Sequence, residues 1–235
     1  MTRWGSIGVL TLALGVLAAT GYLLRDLASW PVRSVRVAGD FEHLSRAALE
    51  EVIGGRAGQG FFQIDLDEVR RAALGLPWVK DVSVRRVWPD SLHVAVIERE
   101  AVARWGDDGL IDADGEVFQP ARVPGDPELP VLRGPRGSHE TLLRRYREFT
   151  RALAPAAASI RELTWDARGA WRLRLARGMA LVLGREPSLD HLDRFARVLG
   201  TALEERGAQI ERVDLRYASG FAVHWRKAST FDLEG

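Results

Sequence analysis

Within the first half of the chain, the spacing of hydrophobic residues changes abruptly, and the change predicts a helix followed by two strands. Asp65 and Glu68 form the D-x-x-E pattern of a helix N-terminus, in which the side chain of the capping residue accepts from amides of the first turn. Apolar residues then recur at helical spacing as far as Gly75 and Pro77, a common combination at a helix end. From Trp78 onward apolar residues alternate with polar ones, as in strands with one buried face.

A single interruption, at Pro89, predicts a tight turn between the two strands because proline fixes φ. Upstream, a short strand-like run that ends at Gly39 precedes a helix-like segment that ends at Gly54. The order over residues 32–99 is therefore strand, helix, helix, strand, strand. We expect the two helices to cover one face of a small sheet.

This order resembles a POTRA domain, and several clusters within and just beyond it are similar to the FtsQ/DivIB family of bacterial cell-division proteins. The clusters are Gly60-Phe61-Phe62, Leu76-Pro77-Trp78-Val79, Val84-Arg85-Arg86, Trp88-Pro89-Asp90, Glu98 and Ala103-Arg104-Trp105. Because the clusters are spaced along the whole segment, they make a more specific match than one short pattern. The resemblance implies a POTRA domain over residues 30–99.

The rest of the chain predicts a second domain over residues 100–226 that is mixed, mostly antiparallel β structure with two or more helices. Helical spacing runs from about Glu140 to Leu153 and again from Ser188 to Gly207. Between these helices, leucines alternate with arginines, as in a sheet with one solvated face. The expected fold class is α+β. The tail over residues 227–235 has no evident pattern and is expected to be flexible.

Gly5–Leu24 contains no charged residue and is long enough to cross a bilayer as a helix. The competing interpretation is a cleaved signal peptide, since residues 18–20 loosely resemble a cleavage site. The apolar run continues past that site, which favours an uncleaved transmembrane helix over residues 5–25. Arg3 favours a cytoplasmic N-terminus. We therefore expect a short cytoplasmic tail over residues 1–4 and a periplasmic location for most of the chain.

Composition argues against several kinds of chemistry. The 33 basic and 32 acidic residues give a net charge of +1, so the protein has no global field that would attract nucleic acid. Without cysteine there is no disulfide, thiol nucleophile or thiolate metal site. The five histidines have neither metal-binding spacing nor a serine in a nucleophile pattern. We predict no enzyme and no catalytic, metal, cofactor or small-molecule site.

The last predicted hairpin, over residues 210–226, is the candidate partner-binding element. It is similar to the C-terminal end of FtsQ periplasmic domains, in which the last strands bind the partner FtsB by adding a strand to an exposed edge. A terminal strand needs one neighbour only, so its remaining amides and carbonyls can pair with another chain. The candidate edge residues are Tyr217, Ser219, Gly220, Phe221, Ala222, Val223 and Trp225. For Trp225, packing into the protein's own core is an equally good interpretation.

The resemblance also implies a role and partners. It implies a single-pass inner-membrane scaffold of the division machinery at the septum, which links early and late division proteins and helps to control septal peptidoglycan synthesis. The implied partners are an FtsB/FtsL coiled coil and, further, FtsK, FtsW and FtsI-like proteins. Candidate contacts in the POTRA-like module, each equally consistent with a surface or packing role, are Gln63, Val79, Lys80, Arg85 and Arg86. The alternative is a periplasmic POTRA-type chaperone or transport-associated protein, which would normally carry repeated POTRA units.

Overall fold

The computed structural model describes residues 15–17, 19, 31–57, 60–123, 125–126, 128–201, 207–217 and 220–226. Within it the chain divides into two compact units, Met1–Arg99 and Glu100–Gly235. Of the transmembrane helix predicted over residues 5–25, only residues 15–17 and 19 are described, and they are helical. The predicted tails over residues 1–4 and 227–235 lie outside the described residues. Among the residues that are described, no helix has both the length and the apolar character needed to cross a membrane.

The first unit has the predicted order of elements. They are β1 (Ser34–Ala38), α1 (Arg46–Ala57), α2 (Leu66–Leu74), β2 (Val79–Val87) and β3 (Ser91–Glu98). The sheet has three strands in the order β1-β3-β2. Strand β1 is parallel to β3, and β2 pairs with β3 as an antiparallel hairpin. The strand, helix, helix, strand, strand order predicted from the sequence is confirmed.

Local signals explain where these elements begin and which face they bury. The Asp65 carboxylate accepts from the amides of Asp67 and Glu68, at 2.9 and 3.3 Å, and so caps α2. Val69 and Ala73, one helical turn apart, are fully buried. On β3 buried residues alternate with less buried ones from Leu92 onward, and the buried apolar residues of β2 and β3 are Val79, Val82, Leu92, Val94 and Val96. One sheet face therefore forms the core with the helices.

Glu98 and Trp78, two residues that carry the family resemblance, hold the loop before α1. The Glu98 carboxylate accepts from the amides of Glu42, His43 and Leu44 at 2.7, 2.7 and 2.9 Å. The His43 ring stacks on Trp78, with centroids 4.2 Å apart and planes inclined by 9°. These contacts tie the end of β3 to the segment that enters the first helix, which gives both residues a structural role.

The described residues of the second unit form a nine-stranded sheet and two α-helices. Its elements are β4 (Ala101–Trp105), β5 (Gly109–Asp112), β6 (Val117–Phe118), β7 (Val131–Arg133), α3 (His139–Leu153), β8 (Ile160–Trp165), β9 (Trp171–Leu175), β10 (Ala180–Gly184), α4 (Leu189–Thr201), β11 (Ile210–Asp214) and β12 (Ala222–Trp225). The strand order is β12-β11-β10-β9-β8-β7-β4-β5-β6. The pairs β4/β7, β7/β8 and β10/β11 are parallel, and the other pairs of described strands are antiparallel. A mixed, mostly antiparallel sheet with two helices agrees with the predicted fold class.

A continuous row of apolar side chains crosses this sheet and forms the centre of its core. Register pairs each member of the row with the next, and the members are Leu132, Leu163, Leu173, Leu181 and Val213. All five are at most 2% exposed. Phe149 of α3 and Phe195 of α4 belong to the same cluster and are fully buried. The helices therefore pack on one sheet face.

Candidate partner-binding edge

Strand β12 is at one end of the nine-stranded sheet. Within the described part of the chain its strand neighbour is β11, with which it pairs in antiparallel register from Asp214↔Ala222 to Ile210↔Trp225. The sequence predicted longer strands, over residues 210–217 and 221–226. The observed β11 ends earlier, at Asp214, because the chain there turns away from the ladder.

The backbone direction of β12 follows from a hydrogen bond just beyond its last residue. The Arg226 amide donates to the Gln209 carbonyl at 2.7 Å, so residue 226 faces β11. In an antiparallel strand, amides and carbonyls alternate in direction from one residue to the next. Ala222 and His224 therefore also face β11, whereas the amides and carbonyls of Val223 and Trp225 point away from it.

An irregularity in the ladder leaves this alternation intact. The register shifts between Ile210 and Arg212, which places the extra residue, Glu211, on β11. Residues 222–226 are thus a regular strand opposite a bulged partner. On the far side of β11, the Leu215 amide donates to the Val182 carbonyl of β10 at 2.9 Å. Strand β11 is paired on both sides, and β12 presents the outer side of the pair.

Two side chains hold the edge strand on the core. Phe221 and Val223 are half-buried and pack against the main hydrophobic cluster. The Phe221 ring meets Phe195 of α4 edge to face, with centroids 5.4 Å apart and an interplanar angle of 84°. The outward backbone groups of Val223 therefore belong to a strand that is fixed in place, which lowers the entropic cost of pairing with another chain.

Trp225 and Tyr217 are on the surface. Trp225 is 45% exposed and Tyr217 is 57% exposed, so neither is a core residue. For Trp225 this exposure argues against the interpretation as a core anchor. A shallow depression beside the strand is lined by Glu211, Arg212, Val223, His224, Trp225 and Arg226. The edge thus combines outward backbone groups with an aromatic side chain that is accessible to a partner.

An ion pair that the sequence did not predict lies at the end of β11. Arg216 donates to both carboxylate oxygens of Asp214, with Nε–Oδ1 at 2.8 Å and Nη2–Oδ2 at 2.6 Å. The Arg216 amide also donates to Oδ1 at 3.1 Å. The hydrogen bonds from Arg216 lower the pKa of the Asp214 carboxyl below its ordinary value. The carboxylate is therefore ionised near neutral pH and fixes the turn that leads to β12.

Gly184 makes room for this ion pair. Its φ of +81° is in the left-handed region, and a Cβ there would lie 3.1 Å from Cγ of Arg216. The turn itself is partly described: Gly220 is exposed, and Ser219 lies outside the described residues. Ala222 is half-buried. Of the candidate edge residues that are described, Gly220 to Trp225 are continuous in the chain, and Tyr217 lies before the turn.

The candidate residues of the first unit do not form one cluster. Gln63, Lys80 and Arg85 are exposed. Lys80 and Arg85 are both on β2, separated by about 16 Å at the rise of an extended strand. Val79 is 1% exposed and packs in the core. The Arg86 guanidinium donates to the carbonyls of Phe61 and Ile64, at 2.9 and 2.6 Å, and so fixes the segment before α2.

Carboxyl groups with shifted pKa values occur in structural turns and ion pairs. Each has its pKa lowered by a named donor: Asp81 mainly by the Val82 amide, Asp107 by Arg133, Asp166 by the Ala170 amide and Asp214 by Arg216. Within the described ranges no three His, Cys, Asp or Glu residues are grouped so as to hold a metal ion.

Two family models match the sequence. The model described as POTRA domain, FtsQ-type, matches residues 30–99. The model described as Cell division protein FtsQ/DivIB, C-terminal, matches residues 103–216. Together they cover most of both compact units, and strand β12 lies just beyond the second match.

Curated proteins with similar sequences carry one name, Cell division protein FtsQ. The protein from Burkholderia pseudomallei is 39% identical over 233 residues, which covers 94% of this chain and 93% of that protein. The protein from Allochromatium vinosum is 39% identical over 223 residues, covering 93% and 88%. The protein from Xanthomonas campestris is 38% identical over 197 residues, covering 84% and 70%. The similarity therefore extends over nearly the whole chain.

Proposed function

The chain belongs to the FtsQ/DivIB family of cell division proteins, and we propose that it is a scaffold that binds a partner strand at β12. The observation that carries the proposal is the edge itself: Val223 and Trp225 present their amides and carbonyls away from β11. An added strand would pair with these groups and extend the sheet of the second unit. The role is recruitment and positioning of other proteins, without catalysis.

In strand addition, the backbone of the edge strand would supply affinity, and the side chains beside it would supply specificity. Each new backbone hydrogen bond contributes only about 1 kcal/mol net, because both groups give up water. Backbone pairing also accepts many sequences. The exposed face of Trp225 and the depression beside it supply apolar area and shape, which select among partner side chains. Tyr217, exposed beside the turn, would contact the rim of the interface.

The partner that the family implies is a coiled coil of FtsB and FtsL-like proteins, followed by an extended segment that adds to β12. FtsK, FtsW and FtsI-like proteins are further partners in this proposal, which places the protein between early and late division proteins in the control of septal peptidoglycan synthesis. The exposed residues Gln63, Lys80 and Arg85 of the first unit are proposed contacts for such proteins. Val79 and Arg86 would act through the shape of that unit, since one is buried and the other bonds to backbone carbonyls.

The proposed topology is a single-pass protein of the inner membrane at the division septum. Residues 5–25 would be the anchor, residues 1–4 would lie in the cytoplasm, and residues 30–99 and 100–226 would be the two periplasmic domains. The basis is the uncharged apolar length of Gly5–Leu24.

Co-purification tests the proposal. The full chain and a chain without residues 217–235 are each mixed with the periplasmic parts of the FtsB and FtsL-like proteins from the same genome. We expect the full chain to retain the coiled coil and the truncated chain to lose it while still melting cooperatively. Equal retention by both chains would rule out the β12 edge. Retention by neither would contradict the scaffold role and favour the chaperone-like alternative.

A further inference from the structure

The tip of the β2–β3 hairpin in the first unit carries a large exposed aromatic residue that the proposed function does not use. Trp88 is 70% exposed and lies between Val87, the last residue of β2, and the start of β3. Exposure of this extent is unusual for tryptophan, which is mostly buried in folded proteins. Most of the surface of this side chain is therefore accessible to solvent.

The chain enters the unit beside this tip. The Arg33 amide donates to the Asp90 carbonyl at 2.9 Å, and Ser34 is in register with Ser91. The hydroxyl oxygens of Ser34 and Ser91 are 2.7 Å apart. The first residues of β1 are therefore fastened to the hairpin tip, and Pro31, Val32 and Arg33 lie at the same end of the sheet.

A row of basic side chains crosses the sheet just behind the tip. Register aligns Arg36 of β1 with His93 of β3 and His93 with Arg85 of β2. The row lies on the face away from the helices, since Leu92 and Val94, the neighbours of His93, are fully buried on the other face. Arg36 and Arg85 are exposed.

At the tip itself Arg33 forms an ion pair with Asp90, so the excess positive charge of the hairpin end comes from Arg36 and Arg85 in the row behind it. The Arg33 side chain is 71% exposed, and its nearest acidic partner, Asp90, lies 3.9 Å away with a side chain that is 22% exposed. The hairpin end thus combines one exposed aromatic ring with an excess of arginine. Tryptophan beside arginine is the combination found where proteins meet a membrane surface.

We propose that this tip rests on the membrane surface, with Trp88 at the interface and Arg33, Arg36 and Arg85 facing anionic lipid headgroups. The inference rests on the proposed function, specifically on the anchor over residues 5–25. The five residues between that anchor and Pro31 span at most about 20 Å when extended. The tip is therefore tethered close to the bilayer, where a weak contact is populated because its effective concentration is high.

This contact would orient the first unit. With one end of its sheet on the bilayer, the opposite end of the hairpin, where Ile97 lies, faces away from the membrane. Ile97 is 60% exposed and is six residues from Ser91 along β3, about 20 Å at the rise of a strand. Partners that bind the far end of this unit would then meet a surface held at a fixed height above the membrane.

The absence of cysteine makes a site-specific test direct. The variants Trp88→Cys and Ile97→Cys are labelled with an environment-sensitive fluorophore, and the full chain is reconstituted in nanodiscs of phosphatidylcholine with or without phosphatidylglycerol. Quenching by acrylamide, which is uncharged, measures access of water to each label. We expect the quenching constant at position 88 to be several-fold lower than at position 97 in anionic nanodiscs, with a smaller difference in phosphatidylcholine alone. Adding Arg36→Glu to Trp88→Cys should remove the extra protection given by phosphatidylglycerol.

Equal quenching at both positions, in chains that remain in the nanodisc and melt as the unlabelled protein does, would overturn the inference. Protection of position 88 that appears only when the coiled-coil partner is added would also overturn it, in favour of a protein contact. A chain that does not remain in the nanodisc would overturn both this inference and the anchor. Retention of the coiled coil by the same samples reports on β12 separately.

Discussion

The nine-stranded sheet has two end strands, β6 and β12, and the contrast between them indicates what makes an edge suitable for binding. Each end strand contributes one half-buried valine, Val117 or Val223, to the same hydrophobic cluster. Strand β6 has two residues and β12 has four. Very short edge strands are one way in which proteins prevent unwanted pairing. Of the two edges, β12 is therefore the one that can accept a partner.

At both valines the backbone amide and carbonyl point away from the neighbouring strand. The Asp112 amide donates to the Glu116 carbonyl at 3.0 Å, so residue 116 faces β5 and Val117 points away from it. Val117 is the one outward residue of its strand, because Phe118 turns back toward β5. On β12 both Val223 and Trp225 point outward. The two edges therefore differ in the number of outward-facing residues and not in backbone direction. Two such residues can fix the register of an added strand, whereas one cannot.

Removing one outward amide from β12 should have the largest effect. The substitution Val223→Pro deletes a donor and places a ring where the partner strand would lie, so we expect affinity for the coiled-coil partner to fall by at least tenfold, about 1.4 kcal/mol or more. Titration calorimetry with the FtsB and FtsL-like partner measures this change. The matched control is Val223→Ala, which trims the side chain and keeps the amide. Equal weakening by alanine and proline would assign the effect to the side chain and contradict backbone pairing.

Loosening the attachment of the strand to the core should mainly lower the free energy of unfolding rather than the affinity for the partner. The substitution Phe221→Ala removes the edge-to-face contact with Phe195, and since Phe221 is half-buried we expect a loss of about 2 kcal/mol of unfolding free energy. Urea denaturation gives the value. Phe221→Leu, which keeps most of the apolar volume, should lose less than half as much. A full-sized loss in the leucine variant would show that the aromatic geometry matters more than burial.

The ion pair that ends β11 should contribute less and should depend on pH. Arg216 is 59% exposed, so solvent screens the pair and Asp214→Asn should cost about 1 kcal/mol of unfolding free energy at neutral pH. The folded-state pKa of Asp214 is lowered, so its stabilisation is complete above the ordinary carboxyl pKa and is lost as pH falls through the folded value. Denaturation of both proteins from neutral pH to below pH 4 should show the wild type approaching the variant as pH falls. A constant difference across that range would contradict the ionic account.

The smallest expected effect is at the other edge. The substitution Val117→Pro repeats the Val223→Pro change in a matched setting, and we expect partner affinity to stay within about 0.5 kcal/mol of the wild type. The same calorimetric titration checks it. A weakening comparable to that caused by Val223→Pro would mean that the two edges are not functionally distinct.

Local signals predicted the order of elements in the first unit well because helix caps and hairpin turns depend on neighbouring residues. The cap formed by Asp65 and the turn at Pro89 both occur where the sequence predicts them. The sequence did not predict the long-range strand pairing of the second unit. The parallel pairs β7/β8 and β10/β11 join strands that are far apart in the chain, and short sequence patterns do not report such pairs. Without that order the position of β6 at the opposite edge could not be inferred.

The candidate site was predictable as a segment but not in its details. Period-two alternation puts Phe221, Val223 and Trp225 on one face. In the structure the first two are half-buried against the core, whereas Trp225, although in register with the buried Ile210, is 45% exposed. The pair of Asp214 and Arg216 was missed because alternation predicted a continuous strand through both residues. Side-chain hydrogen bonds within a turn leave no periodic signal in the sequence.

Residue-resolved amide hydrogen exchange of the second unit, with and without the FtsB and FtsL-like coiled coil, tests strand addition most directly. We expect the amides of Val223 and Trp225 to exchange rapidly in the free protein and to become strongly protected in the complex, while the exchange rate of the Val117 amide does not change. Val223 and Trp225 amides that exchange equally fast in a saturated complex would contradict strand addition, since no partner strand could then be paired with β12.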